Sequence, residues 1–116
     1  MTLPLCERSV FDHLVADTSP EAASAILAAT LPDVERLGQQ VVQFSGSETD
    51  INALRSQAHL CKSAAGYTGA LRLQALCQAL EGACDQGDID TLRRHLDSAP
   101  SVISDSINHL QSLLSA

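Results

Sequence analysis

The 116-residue sequence has no tryptophan, one tyrosine and two phenylalanines, and no run alternates apolar and polar residues as a half-buried strand does. Strands draw on β-branched and aromatic side chains, so this poverty of aromatics argues against a sheet. Lysine is almost missing: Lys62 is the only one, and seven basic residues stand against fourteen acidic ones for a net charge of −7. Non-specific binding to nucleic acid or to an anionic membrane needs clustered Lys and Arg, so neither partner fits this chain. No stretch approaches the ~18 consecutive apolar residues of a bilayer span. The opening MTLPLCERSVFDHL lacks the basic and long apolar regions of a secretory signal, and the expected location is cytoplasmic. There is no P-loop, no kinase-type Gly-rich loop and no G-x-S-x-G elbow, hence no nucleotide site and no sign of a self-contained enzyme.

Cys6, Cys61, Cys77 and Cys84 include no C-x2-C pair; their spacings are 55, 16 and 7. Zinc sites use closer pairs, and Cys77 and Cys84 share one helical face, where core residues sit. Reduced, mostly buried thiols and no metal are therefore expected.

What is abundant is leucine (17) and alanine (16), strong helix formers. The length suits one domain, residues 1–116, large enough to bury a core without staples. Apolar spacing predicts a short first helix over about 4–16, with Pro4 at its start and Val10, Phe11, Leu14 and Val15 inward. Thr18 and Glu21 form a capping box for a second helix over about 20–45, with Pro20 in its first turn. Pro32 either kinks that helix or lets Thr30 recap a new one. Ser47 caps a third helix, about 48–67, whose core face reads Ile51, Leu54, Ala58, Cys61 and Ala65. A fourth, about 69–86, turns Leu73, Leu76, Cys77, Leu80 and Cys84 inward; Gly87 and Asp88 lead into a fifth, about 89–115, containing Pro100. Helices joined by short loops make an all-α, up-and-down antiparallel four-helix bundle with an additional short N-terminal helix.

Charge is uneven along this chain. From Ile51 to Leu80 there are Arg55, Lys62 and Arg72 but no Asp or Glu, so these thirty residues carry +3 and the remainder −10. On the third helix Arg55, His59, Lys62, Ser63 and Gly66 fall along one stripe, away from the core face, which leaves His59 open to solvent. His13, His95 and His109 have no such company and read as ordinary structural or exposed histidines.

The segment Ala58-His59-Leu60-Cys61-Lys62-Ser63-Ala64-Ala65-Gly66-Tyr67-Thr68-Gly69-Ala70 resembles the signature of histidine-containing phosphotransfer (HPt) domains. That pattern is His-x-x-Lys-(Gly/Ser)-small-small, with a glycine closing the helix. A Leu-rich helix ending near Leu-Glu follows, here Leu71, Leu73, Leu76, Leu80 and Glu81. Ser63 stands where glycine is commoner, and it too is small. The resemblance implies that His59 accepts a phosphoryl group from a receiver-domain aspartate and passes it to another response regulator in a phosphorelay. A neutral imidazole offers a free nitrogen lone pair, and the reference pKa of histidine, about 6.5, makes that form available at neutral pH. Lys62 stabilises the phosphoryl oxygens as a point charge. Glu81, with Gln78 one turn earlier as the alternative, orients the imidazole. Arg55, Leu60, Ser63, Gly66 and Tyr67 form the docking surface, and the +3 stripe suits an acidic partner. The implied partners are response regulator receiver domains and a hybrid sensor histidine kinase, met by a monomer. Magnesium belongs to the receiver's acidic pocket, and no cofactor belongs here. The rival reading is a binding module that regulates a receiver or kinase without being phosphorylated.

Overall fold

The computed structural model describes residues 3–115, and it is all helical: α1 (Arg8–Asp17), α2 (Pro20–Gln43), α3 (Glu48–Thr68), α4 (Leu71–Gln86) and α5 (Ile89–Ser115). Successive long helices pack side by side, α5 returns to α2 to close the ring, and α1 lies across α2 and α3. This is the expected four-helix bundle with a short extra helix. Among the described residues no helix is long and apolar enough to cross a membrane.

The core is aliphatic because the sequence offers little else. Leu27, Leu37, Leu54, Leu73, Leu80, Leu92 and Leu110 are completely buried, each side chain worth about 1.5–3 kcal/mol on leaving water. The third and fourth helices turn in the faces that their periodicity assigned, except that Ile51, in the first turn of α3, is only partly covered. Small residues are buried on both of these helices: Ala58, Cys61 and Ala65 on α3, and Cys77 and Ala83 on α4.

Three local expectations are corrected. The chain is not helical from Pro4; Glu7 is still extended and α1 starts at Arg8. The backbone before it is committed to the α3–α4 turn, where the Glu7 N–H donates to the Gly69 carbonyl at 2.7 Å. Arg72 Nε also donates to the Leu3 carbonyl at 2.6 Å. Thr18 is not the N-cap of α2. Its hydroxyl donates to Leu14 at 2.6 Å and closes α1, while Ser19 Oγ accepts the Ala22 N–H at 3.0 Å. The fourth helix starts at Leu71, because Gly69 and Ala70 form the turn. As for the alternatives at Pro32, α2 runs through it unbroken, and the Thr30 hydroxyl donates back to the Ile26 carbonyl at 2.7 Å instead of capping.

The α3–α4 and α4–α5 connections are the same device. Gly69 and Gly87 adopt positive φ, and the next residue donates back over the helix end: Ala70 to Ala65 and Asp88 to Ala83. Asp88 then caps α5: the Thr91 hydroxyl donates to its carboxylate at 2.7 Å and the Thr91 N–H at 3.1 Å, and the two bonds hold that carboxyl below the usual carboxylate range. Gly69 has a second constraint, since a methyl group there would run into the Glu7 carbonyl. Gly69→Ala is therefore expected to lose at least about 1–2 kcal/mol from the left-handed backbone alone. Denaturant unfolding checks this, with Gly82→Ala as a control at a position with open space. Equal stability of the two variants would refute it.

Candidate functional site

The seam between α3 and α4 sets the site. Glu81 on α4 reaches across to His59 and Lys62, one turn apart on α3. Glu81 Oε1 lies 3.1 Å from His59 Nδ1, and its Oε2 accepts from Lys62 Nζ, also at 3.1 Å. The Glu81 side chain retains only 15% of its exposure, whereas His59 retains 68%. One carboxylate is thus shared by an imidazole and an ammonium at the rim of the bundle. The Lys62 hydrogen bond and then the His59 hydrogen bond hold the Glu81 carboxyl below its ordinary 4.5. A depressed carboxyl contributes fully above that ordinary value, so the clamp is intact at neutral pH and is lost as pH falls through the lowered value.

An ionised carboxylate can only accept, so Nδ1 of a neutral His59 ring must carry the proton. The Nε2 lone pair is then free, and no described hydrogen bond occupies it. The hydrogen bond favours one tautomer of the neutral ring, with Nε2 unprotonated. Gln78 is exposed on α4 and makes no described bond to His59; the contact is made by Glu81.

The other sequence-predicted residues divide. Leu60 and Tyr67 are 53% and 61% exposed, too open for core residues, and Ser63 is exposed beside them. Gly66 is partly covered by Gln74, whose Nε2 would lie 2.6 Å from a methyl group added there. Arg55 is drawn away from the imidazole into an ion pair with Asp85. Lys62 pairs with Glu81, and Arg72 is engaged with the N-terminal backbone. The free +3 stripe is therefore corrected: the acid-free segment ends one residue before Glu81, and α4 folds Glu81 and Asp85 back onto the cations.

The groove beside His59 is larger than the sequence indicated. Ser63, Gly66 and Tyr67 line it with Leu71 and Gln74 of α4 and Val10 of α1; His13 and Leu14 extend it. Gln74 was legible in principle, one turn before Gln78 and two before Glu81. The α1 residues carried no signal, since only tertiary packing brings them to α3.

A family model described as the Hpt domain matches residues 19–116. The chain belongs to the Hpt domain family. No curated protein and no solved structure gives a significant match. Hpt domains are phosphocarrier modules of two-component phosphorelays, working with receiver domains and histidine kinases, and are not enzymes in themselves. The matched region contains the whole four-helix bundle and the His59–Lys62–Glu81 cluster, while α1 lies outside it.

The thiols lie apart from this chemistry. Cys61, Cys77 and Cys84 are buried and Cys6 is half-buried. Burial pushes Cys61 up to about 11 and Cys77 up to about 12, so both are neutral thiols at pH 7. In the native Hpt domain a maleimide is expected to label Cys6 first, the other three reacting fully only in denaturant. Mass spectrometry of labelled peptides reads the order, and early labelling of Cys61 or Cys77 would contradict it.

Proposed function

We propose that this Hpt domain is a phosphoryl carrier. His59 takes a phosphoryl group from the aspartate of one receiver domain and delivers it to that of another. The observation that carries this reading is the exposed imidazole whose Nδ1 is fixed by Glu81, leaving Nε2 free to attack. Phosphoryl transfer asks for positioning and charge more than for covalent chemistry. Glu81 supplies the first and Lys62, one turn from the ring, the second. The nucleophile lies beside an open groove with apolar Leu60 and Tyr67 at its edge, where a receiver can dock and bring its own magnesium. No ATP site is invoked; the phosphoryl group arrives from the partner.

The test is transfer from a radiolabelled phospho-receiver, or from the receiver of a hybrid kinase, to the purified domain. The expected product is an acid-labile, alkali-stable phosphate on the domain. If a panel of such donors binds the domain without labelling it, the carrier reading fails and a non-phosphorylated binding module takes its place.

A further inference from the structure

The α2–α5 seam closes the helix ring on the side away from the α3–α4 seam and His59. Helix α5 carries more apolar surface there than the core consumes. Its buried row includes Ala99, Ile103 and Leu110, while a second row, Pro100, Ile107 and Leu114, recurs every seven residues and stays at least partly open. An apolar repeat of seven along one side of a helix is the pattern by which helices pack on one another. Beside this row stands Val42 of α2, 77% exposed and the most open large apolar side chain among the described residues. One turn before it, Gly38 has no side chain, and a groove opens there against Pro100, Ile103 and Ile107. A methyl group on Gly38 would already lie 3.3 Å from Ile103 Cγ2, so α5 packs close to bare backbone at this point.

We propose that this face binds a second copy of the chain, the two α2–α5 seams meeting about a two-fold axis. An apolar patch of this kind marks an interaction surface, and what it accepts is decided by its complementarity. A two-fold contact requires a surface that complements itself, residue i meeting j while j meets i. Val42 is a knob and Gly38 a notch, one turn apart on the same helix, so an antiparallel copy seats each knob in the other's notch.

The charges flanking the groove obey the same axis. Glu35 lines the groove at one end, exposed and without a described ion pair. At the other end is Arg93 of α5, also exposed; a methyl group on Gly46 would lie 3.3 Å from its Nη2. Asp97 is one turn from Arg93 on α5 but makes no described ion pair with it. Midway along the chain between Gly38 and Val42 is Gln40, and midway between Glu35 and Gly46 is the Gln40–Val41 bond. A single two-fold axis at that level therefore exchanges knob with notch and brings Arg93 of each copy over Glu35 of the other. Exposed pairs of this sort add little affinity, yet opposite charges in register select one arrangement over others.

This occupant replaces the monomer that the sequence implied. It leaves the phosphoryl site untouched, because His59 lies across the bundle on the α3–α4 side and both imidazoles of the pair face outward. The inference stands apart from the carrier reading: the dimer forms whether or not His59 is phosphorylated.

Sedimentation velocity over a dilution series of the purified domain tests it, with circular dichroism to confirm that each variant is folded. Wild type is expected to show a reversible dimer. Val42→Asp should weaken association about 100-fold, tenfold from each of the two copies of Val42 that the axis buries. Glu35→Arg and Arg93→Glu should each weaken it about tenfold by turning both pairs repulsive. The double variant should restore the dimer, a recovery that damage to the fold would not produce. His59→Gln should dimerise as wild type does. A domain that stays monomeric at millimolar concentration overturns the proposal, and so does a dimer that Val42→Asp leaves intact. A double charge swap no better than either single variant overturns the two-fold register. If the domain is a monomer whose Val42 methyl NMR signals shift on adding a receiver domain, the face belongs to that partner and the proposal falls.

Discussion

His59→Gln is expected to abolish phosphoryl uptake from a phospho-receiver while leaving the bundle folded. Both halves of that expectation come from geometry. The ring is 68% exposed and its one described contact is with Glu81, so removing it opens no cavity in the leucine core. Glutamine has a similar reach but no nucleophilic nitrogen, and no other histidine shares its setting. His13 is exposed on α1 and lines the groove, with no described hydrogen bond to a carboxylate, while His95 and His109 lie on α5. The measurement is labelled transfer paired with a thermal melt. Label retained by a folded His59→Gln protein would move the phosphorylation site elsewhere and remove the basis of the proposed function.

The second large effect is expected at Lys62. Replacing it with alanine should slow transfer by about 100-fold, in the range for removing one charged stabiliser of a transition state. The fold should survive, since the side chain keeps a third of its exposure and its partner Glu81 lies at the rim of the bundle. The loss should fall on the rate of transfer more than on receiver binding, because a point charge acts on the developing phosphoryl charge and little on the docking groove. Lys62→Arg, which keeps the charge but changes its shape, should recover part of the rate. Single-turnover kinetics at saturating receiver separate the two quantities. Equal rates for wild type and Lys62→Ala would leave Lys62 as no more than a tether for Glu81.

The two variants also bear on how far the site could be read before the fold. The spacing of His59 and Lys62 belongs to a single helix, so the sequence placed them one turn apart on an exposed stripe. Glu81 and Gln78 are both on the next helix, one turn from each other. Choosing between them needed the actual register of α3 against α4. The observed register delivers Glu81 to Nδ1 while Gln78 stays in solvent. The charge count misled for the same reason. A segment cut at Leu80 holds three cations and no acid, yet its nearest anions in space are Glu81 and Asp85, just beyond the cut.

The errors at the helix ends have one local cause and one distant one. Thr18 and Ser19 are both competent caps, and the hydroxyl of Thr18 was taken by the end of α1, leaving Ser19 for α2. Residues 4–7 have no intrinsic bar to helix beyond Pro4. Their non-helical form goes with hydrogen bonds from this N-terminal segment to Gly69 and Arg72, more than sixty residues away in the chain.

By itself, then, the sequence determined the helical class, the number of helices, the inward faces and the exposed His59–Lys62 pair. All of these follow from periodicities within one helix or from turn residues between neighbours. Only the tertiary structure decided which side chain of α4 meets the imidazole, that Arg55 and Lys62 are paired with acids, and that α1 walls the groove. Those contacts join residues far apart in sequence, and the packing of one helix surface on another selects them.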